Sequence, residues 1–223
     1  MDKIVSQSKY SRKQHKDFYK FHLLRRSGTV KFLFFIILLM LYVAISNTFN
    51  KDFTIKENTS GILMGWIMFA FSLSIIPILI ISRVNNVVKQ ETPERVKSTE
   101  KIEVTKIKFT RSNDTIEGKS VFGWSDIQTI CETDKYFYIY LSDDNGVFIV
   151  KEDIIEGDVE SFRKLAEAHL KKDKKGKLPY KRYGQVKKEY NAIKKQEKAL
   201  KKQEEKIKKQ ELKNKENEKK NNK

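Results

Sequence analysis

Few of the side chains that most often carry catalysis or bind metals occur in this sequence. It contains one cysteine, Cys131, and three histidines spread along the chain, His15, His22 and His169. A single cysteine excludes an internal disulfide and any site built from several cysteines. His169 lies on the apolar side of a predicted helix, which favours a packing role. Cys131 lies in a predicted strand, where a free cysteine is usually buried. We therefore expect no catalytic residue and no metal site.

Two short segments resemble ligand-binding loops, but each lacks a required residue. Gly118-Lys119-Ser120 matches the end of a phosphate-binding loop, yet the earlier glycine of that motif would fall at Asn113. Asp143-Asp144-Asn145-Gly146 hints at a calcium loop, whose first ligand position would be Leu141. Acidic residues at such a position are typical of turns. The sequence therefore predicts no cofactor and no enzymatic activity.

An aromatic strand is the strongest candidate for a binding surface. Alternation along residues 136–141 places three tyrosines on one strand face, and Phe137 and Ile139 on the other. One face must be core, which makes the tyrosine face a candidate for exposure and contact. The candidate contact surface consists of Trp124, Tyr136, Tyr138 and Tyr140. The alternative is that these tyrosines simply cover the rim of the sheet.

The charge of the chain is divided unevenly among the elements that must position these residues. The 223 residues carry a formal net charge of +17. Residues 1–31 carry +7, residues 32–82 are neutral, residues 83–170 carry −4, and residues 171–223 carry +14. The average therefore describes no single part of the molecule. It indicates an apolar region and a mildly acidic domain between two basic ends.

The neutral region predicts a membrane hairpin. Residues 32–50 and 58–82 are uncharged and are separated by a short loop, 51–57. A bilayer core needs roughly 20 helical residues, so both segments are long enough to cross it. Basic residues lie mainly outside the loop, which predicts two spans in the cell membrane with both termini in the cytoplasm. A cleaved signal peptide is an alternative for the first segment, although its 31-residue basic leader is longer than usual.

The basic leader and a small-residue motif suggest membrane contacts. The N-terminal arm, residues 1–31, interleaves aromatic and basic side chains, which predicts an amphipathic helix lying on anionic lipid. Its candidate membrane-surface contacts are Phe18, Phe21, Lys13, Lys16, Lys20, Arg25 and Arg26. Alternatively, the arm only sets the topology. Gly61 and Gly65 form a GxxxG pattern that would pack the hairpin on itself or form a homodimer.

Short alternating patterns replace the long apolar runs after a predicted linker, 83–99. A first strand region with one slip in alternation covers 102–109, and Asn145-Gly146 predicts a tight hairpin between residues 136–141 and 147–150. Asp158 is a predicted N-cap for a helix that reaches about Lys172. The fold class is thus a membrane hairpin with a small α+β cytosolic domain, 100–172, in which one helix closes an antiparallel sheet.

Several motifs in this domain and in the N-terminal arm resemble the YcxB-like family of bacterial membrane proteins. They are Trp124-Ser125-Asp126-Ile127, the aromatic strand at 136–141, Phe148-Ile149-Val150-Lys151, and the arm segment 17–27. The resemblance covers about residues 10–172 and implies an arm, two adjacent spans and a small β-rich domain. Members often have Pro-Lys where this chain has Val150-Lys151, and the basic tail extends past their usual end. The resemblance to the YcxB-like family implies no chemical reaction. The order of strands followed by a helix also resembles bacterial PH-like modules.

The basic tail, 173–223, has a seven-residue pseudo-repeat. Val186, Ile193, Leu200 and Ile207 are spaced by sevens, but the second apolar stripe of a coiled coil is missing. The pattern predicts a charged, solvated helix that frays, with self-association or binding to acidic partners as alternatives. We therefore expect a membrane-anchored interaction or regulatory module that contacts anionic lipids and an unknown cytosolic protein. The alternatives are nucleic-acid or acidic-protein binding through the tail and, less favoured, holin-like permeabilisation.

Overall fold

The computed structural model describes residues 3–49, 59–90, 97–115 and 117–221. The predicted loop at 51–57 and residues 91–96 of the predicted linker lie outside this part of the chain. Within it, two long apolar helices are attached to a domain of two β-sheets. A third long helix leaves the domain on the C-terminal side.

The two apolar helices form an antiparallel hairpin. They are α2 (Gly28–Thr48) and α3 (Thr59–Lys89). Both contain segments long and apolar enough to cross a bilayer, with mean hydropathy 2.2 and 2.3. Gly65 lies against α2, because a Cβ at this position would be 3.1 Å from the Ala44 Cα. Helix α3 continues beyond the predicted span end at residue 82, so the first part of the predicted linker is helical.

Sheet A contains a strand from the extreme N-terminus. Its order is β4-β3-β2-β1-β8. The strands are β1 (Lys3–Lys9), β2 (Thr99–Thr105), β3 (Lys108–Asn113), β4 (Lys119–Gly123) and β8 (Ile154–Glu156). All seven residues of β1 pair antiparallel with β2, and its other edge pairs with β8. The prediction that residues 1–31 are a membrane-surface arm is therefore wrong for β1, which is a central strand of the domain.

The region 102–109 is two strands rather than one interrupted strand. A turn at Lys106 and Ile107 separates β2 from β3, and the Thr105 hydroxyl accepts hydrogen bonds from both Ile107 N and Lys108 N. The irregular alternation therefore comes from a hairpin turn. This turn brings Val104 opposite Phe109 in the paired strands.

Sheet B has the order β7-β6-β5-β9. Its strands are β5 (Thr129–Glu132), β6 (Tyr136–Tyr140), β7 (Gly146–Val150) and β9 (Tyr180–Arg182). The predicted hairpin between β6 and β7 is present, but it closes through a longer loop in which Leu141 N and Ser142 N donate to Asn145 O. Strand β9 pairs parallel with β5, so the predicted tail contributes a strand to the domain.

One core lies between the two sheets and is closed by helix α4 (Val159–His169). Asp158 caps this helix as predicted, because its Oδ1 accepts a 2.6 Å hydrogen bond from Ser161 N. Phe162 of α4 reaches the core, where its ring centroid lies 4.2 Å from that of Phe137. The inner face of β6, including Phe137 and Ile139, is fully buried. The prediction that this face is core is confirmed.

Two further helices flank the domain. Helix α1 (Arg12–Arg25) follows β1 and ends just before α2 begins. Helix α5 (Gly184–Asn221) has 38 residues and, at 1.5 Å per residue, is about 57 Å long. The domain therefore extends beyond the predicted limits of 100–172, because β1, α1 and β9 are all part of it.

Candidate functional site

Helix α1 covers the tyrosine face of sheet B, formed by Tyr136, Tyr138 and Tyr140. The Phe18 ring lies 5.6 Å from the Tyr138 ring and 5.9 Å from the Tyr140 ring, and the Phe21 ring lies 4.5 Å from Tyr138. The three tyrosines are 8%, 3% and 0% exposed. The prediction of an exposed tyrosine face is therefore wrong: this face is a second core, and its cover comes from before the first apolar helix.

Trp124 does not belong to an exposed contact surface either. It lies in a short 3₁₀ turn, is 5% exposed, and packs on Phe109 in the main core. Its Nε1 donates a 3.0 Å hydrogen bond to the Thr105 carbonyl oxygen. The indole therefore joins the turn after β4 to the end of β2, and its role is structural.

Burial under α1 changes the acid–base properties of the groups below it. Burial raises the pKa of Tyr136 to about 12, and its hydroxyl, which donates to Asp17 Oδ2 at 3.1 Å, is further held neutral by that carboxylate. Burial also raises the pKa of Tyr138, Tyr140 and Cys131. A thiol with a raised pKa and almost no exposed surface is a poor nucleophile. Cys131 is therefore a packing residue at pH 7.

The predicted membrane-contact residues of α1 fall into two groups. Phe18, Phe21 and Arg26 contact the domain, so their assignment to a lipid surface is wrong. Arg26 donates a 2.7 Å hydrogen bond to Asp143 and another to Gln128, and its guanidinium carbon lies 4.4 Å from the Tyr140 ring centroid. The exposed members of the predicted set, which remain candidates for a membrane surface, are Lys13, Lys16, Lys20 and Arg25.

Helix α1 also packs against the apolar hairpin. Leu23 of α1, Val30 of α2 and Val84 of α3 form a buried cluster, with Tyr19 and Ile80 against it. The link between α1 and α2 is short, and Arg26 N and Ser27 N both donate to the His22 carbonyl oxygen. The hairpin is therefore joined to the domain by packing as well as by the chain.

A polar cavity of about 640 Å³ lies at this junction. We call it the junction cavity; it is bounded by the end of α1, the start of α2, the last part of α3 and the loop between β6 and β7. Its charged lining residues are Arg26, Lys31, Arg83, Asp143 and Asp144. His22 also lines it, and burial lowers the pKa of this imidazole below its usual value. The cavity therefore combines both signs of charge around a neutral histidine at pH 7.

An apolar groove of about 390 Å³ continues from the junction cavity along the hairpin. Leu33 of α2 and Leu79 and Ile80 of α3 line the groove. Leu23, Arg83 and Val87 line both spaces. Together they form a site that is polar next to the domain and apolar between the helices.

A buried carboxylate was not anticipated from the sequence. Glu132 of β5 is fully buried and accepts hydrogen bonds from Lys151 Nζ at 2.7 Å and Arg163 Nη2 at 2.5 Å. Tyr180 OH donates to its second oxygen at 3.0 Å, and Arg182 lies 3.6 Å from the same oxygen. Burial alone would raise the pKa of Glu132, but the bonds from Arg163 and Lys151 outweigh it and lower the pKa. This carboxylate ties β5 to α4 and β9.

The only sequence signal for this cluster is an acidic residue inside an otherwise apolar strand, Ile130-Cys131-Glu132. Its three cationic partners come from separate elements, so no pattern of neighbouring residues in the sequence predicts that they meet. Among the described residues, no group of three histidine, cysteine or acidic side chains is arranged to hold a metal ion. We therefore regard the Glu132 cluster as structural and the junction cavity as the candidate site.

The fold and the site together define a class of protein in which a two-sheet α+β domain is packed onto a pair of long apolar helices. The YcxB-like protein family matches residues 107–166, which run from the turn before β3 to the last part of α4. The match confirms, for these residues, the resemblance that their motifs indicated. No curated protein and no solved structure is significantly similar to the chain.

Proposed function

We propose that the protein is a membrane-anchored binding module whose domain is held against the cytoplasmic leaflet. The apolar surface of α2 and α3 supports membrane insertion. Phe32, Phe35 and Leu38 are 61%, 62% and 62% exposed, and Phe71 of α3 is 67% exposed. Apolar surface of this extent on a soluble protein would favour aggregation or association. The basic residues at the ends of the helices support an orientation with the domain in the cytoplasm.

One observation carries the proposal: the domain is built from both sides of the hairpin. Strand β1 and helix α1 precede α2, whereas the remaining strands follow α3. The domain therefore has two attachments to the spans, and α1 packs directly on both of them. A change in how the hairpin sits in the bilayer would act on α1 and hence on the tyrosine face beneath it. This arrangement suits a regulatory module.

The order of elements also supports a PH-like domain. Strands β1 to β4 form one antiparallel run, β5 to β7 form a second, and a helix closes the core after them. PH-like domains are used for binding, and in this domain Cys131 is buried by packing while Glu132 is engaged in ion pairs. We therefore propose that the module acts by binding and not by catalysis.

Cysteine accessibility in cells tests this arrangement. Two single-cysteine variants are made in a Cys131→Ser background: Asp52→Cys in the predicted loop and Ser125→Cys in the domain. Each is labelled with a membrane-impermeant maleimide, and the extents of labelling are compared. The expected result is labelling of residue 52 in intact cells and of residue 125 only after permeabilisation. Labelling of residue 125 in intact cells, or release of the protein from membranes by alkaline carbonate, would refute the proposal.

A second candidate function rests on helix α5. Its residues 187–205 are exposed throughout, and the helix is rich in lysine. A long basic helix that projects from the domain would bind nucleic acid or an acidic protein by charge. Nucleic-acid binding would weaken steeply as salt increases. A purified 184–223 peptide should then bind RNA at low salt, and binding that is absent or insensitive to salt would reject this function.

A further inference from the structure

The junction cavity contains charges that the protein itself does not compensate. Arg26 and Asp143 form a 2.7 Å ion pair and neutralise each other. Among the described residues, neither Lys31 nor Arg83 forms an ion pair. Asp144 has a fully exposed side chain, and its neighbour His22 lies 4.0 Å away. The cavity therefore offers two free cations and one free carboxylate.

The positions of these residues along the helices match the level of lipid headgroups. Lys31 immediately precedes the apolar run of α2, and Arg83 immediately follows the apolar run of α3. In a bilayer, basic residues at such positions lie in the interface beside phosphate groups. Asp144 lies in the loop between β6 and β7, on the domain side of the same cavity. The cations thus lie nearer the membrane than the carboxylate does.

The apolar groove next to the junction cavity favours a ligand that has a hydrocarbon chain as well as a charged group. A soluble anion would fill only the polar cavity and would leave Leu33, Leu79 and Ile80 uncovered. A molecule with a charged head and a hydrocarbon chain would fill both spaces. Since Arg83, Leu23 and Val87 line both, the head and the chain would be continuous through this shared wall.

We propose that the junction cavity and the apolar groove bind one phospholipid whose headgroup carries an ammonium group. Lys31 and Arg83 contact its phosphodiester, Asp144 contacts the ammonium, and the first methylenes of one acyl chain lie in the groove. A headgroup of this kind places its negative charge at the glycerol side and its positive charge outward, in the same order as the cations and the carboxylate of the site. The inference rests on the proposed membrane insertion.

The test uses the full chain in detergent micelles and native mass spectrometry. The protein is titrated with dioleoyl phosphatidylethanolamine, dioleoyl phosphatidylglycerol, and soluble glycerophosphoethanolamine. We expect one phosphatidylethanolamine per chain, bound in preference to phosphatidylglycerol. The Lys31→Gln, Arg83→Gln double variant should weaken this binding by about tenfold or more, because a hydrogen bond to a charged group contributes about 1.5–3 kcal/mol.

Matched variants distinguish lipid binding in the junction cavity from a general effect of positive charge on the protein surface. Lys13→Gln, Lys16→Gln removes the same charge from the exposed face of α1 and should leave the binding unchanged. Asp144→Asn should retain a bound lipid but abolish the preference for phosphatidylethanolamine. Slow maleimide labelling of Cys131 in every variant reports an intact domain.

Three results would overturn the inference. They are equal binding of the two lipids by the wild type, equal loss in both double variants, and binding of glycerophosphoethanolamine as strong as that of the lipid. A protein that does not remain in carbonate-washed membranes would instead refute the proposed function. A protein that remains there but retains no lipid refutes only this inference.

Discussion

Replacing Phe18 by alanine should loosen the cover over the tyrosine face. The Phe18 ring is 9% exposed and lies 5.6 Å from Tyr138, 5.9 Å from Tyr140 and 5.5 Å from Phe148, as distances between ring centroids. Truncating a buried phenylalanine to alanine costs about 3–5 kcal/mol. Because Phe18 lies between a helix and a sheet and not in the main core, we expect about 3 kcal/mol.

Cys131 provides an intrinsic probe of this cover. It is the only cysteine of the chain, is 2% exposed, and belongs to the same buried cluster as Phe18. Its reaction with a maleimide therefore requires α1 to lift or the domain to unfold. When opening is fast relative to labelling, the rate follows the population of the open form. Since about 1.4 kcal/mol corresponds to a tenfold change, Phe18→Ala should accelerate labelling about a hundredfold.

Lys16→Ala is the matched control, because Lys16 lies on the exposed face of the same helix. Surface substitutions usually change stability by less than about 0.5 kcal/mol, so labelling should change by about twofold at most. The measurement is made on full-length protein in membranes. A Phe18→Ala protein that labels as slowly as Lys16→Ala would show that α1 does not cover the sheet, and the reasoning would fail.

Three further predictions concern the rest of the domain. Glu132→Gln should destabilise it by about 3 kcal/mol, because buried cations lose their counter-charge. Folding lowers the pKa of Glu132, so the stability that this carboxylate contributes is fully present above the ordinary carboxyl pKa. This stability is lost as the pH falls through the lowered pKa, and thermal melts between pH 7 and pH 3 measure the loss. Gly157→Ala should lower the melting temperature of the protein. Gly157 has a φ of +81°, and a Cβ at this position would lie 2.9 Å from Ile4 Cγ1 of β1. An unchanged melting temperature would contradict this contact with β1. Deleting residues 191–223 should leave Cys131 labelling unchanged, because the α5 side chains described beyond residue 190 are exposed; faster labelling would show that the tail supports the fold.

Local patterns in the sequence predicted the elements whose partners are nearby. The two apolar helices, the hairpin of β6 and β7, and the helix capped by Asp158 each depend on contacts within about one element. The alternation in β6 separated its two faces correctly. It could not show that both faces are buried, because the cover of the tyrosine face lies more than 100 residues earlier in the chain, in α1.

Contacts of long sequence separation explain the remaining differences. Strand β1 has little apolar character, and its role depends on pairing with β2, about 95 residues away. Strand β9 is only three residues long and is held by β5 and by the Glu132 cluster. The junction cavity is formed by α1, α2, α3 and a loop, so no single segment carries its signature. The basic residues flanking the two apolar helices were visible in the sequence, but the sequence did not show which of them have protein partners.

The central claim is that segments on both sides of the hairpin form one domain, and a disulfide between β1 and β2 tests it most directly. Ser8 lies opposite Glu100 in the paired strands, so cysteines at these positions, in a Cys131→Ser background, lie in reach of each other. Lys101 points to the opposite face of β2, and a cysteine there provides the control. We predict that oxidation of membranes links residues 8 and 100, detected as a crosslinked peptide pair, and does not link residues 8 and 101. Absence of the 8–100 link, or equal yield of both links, would contradict the account.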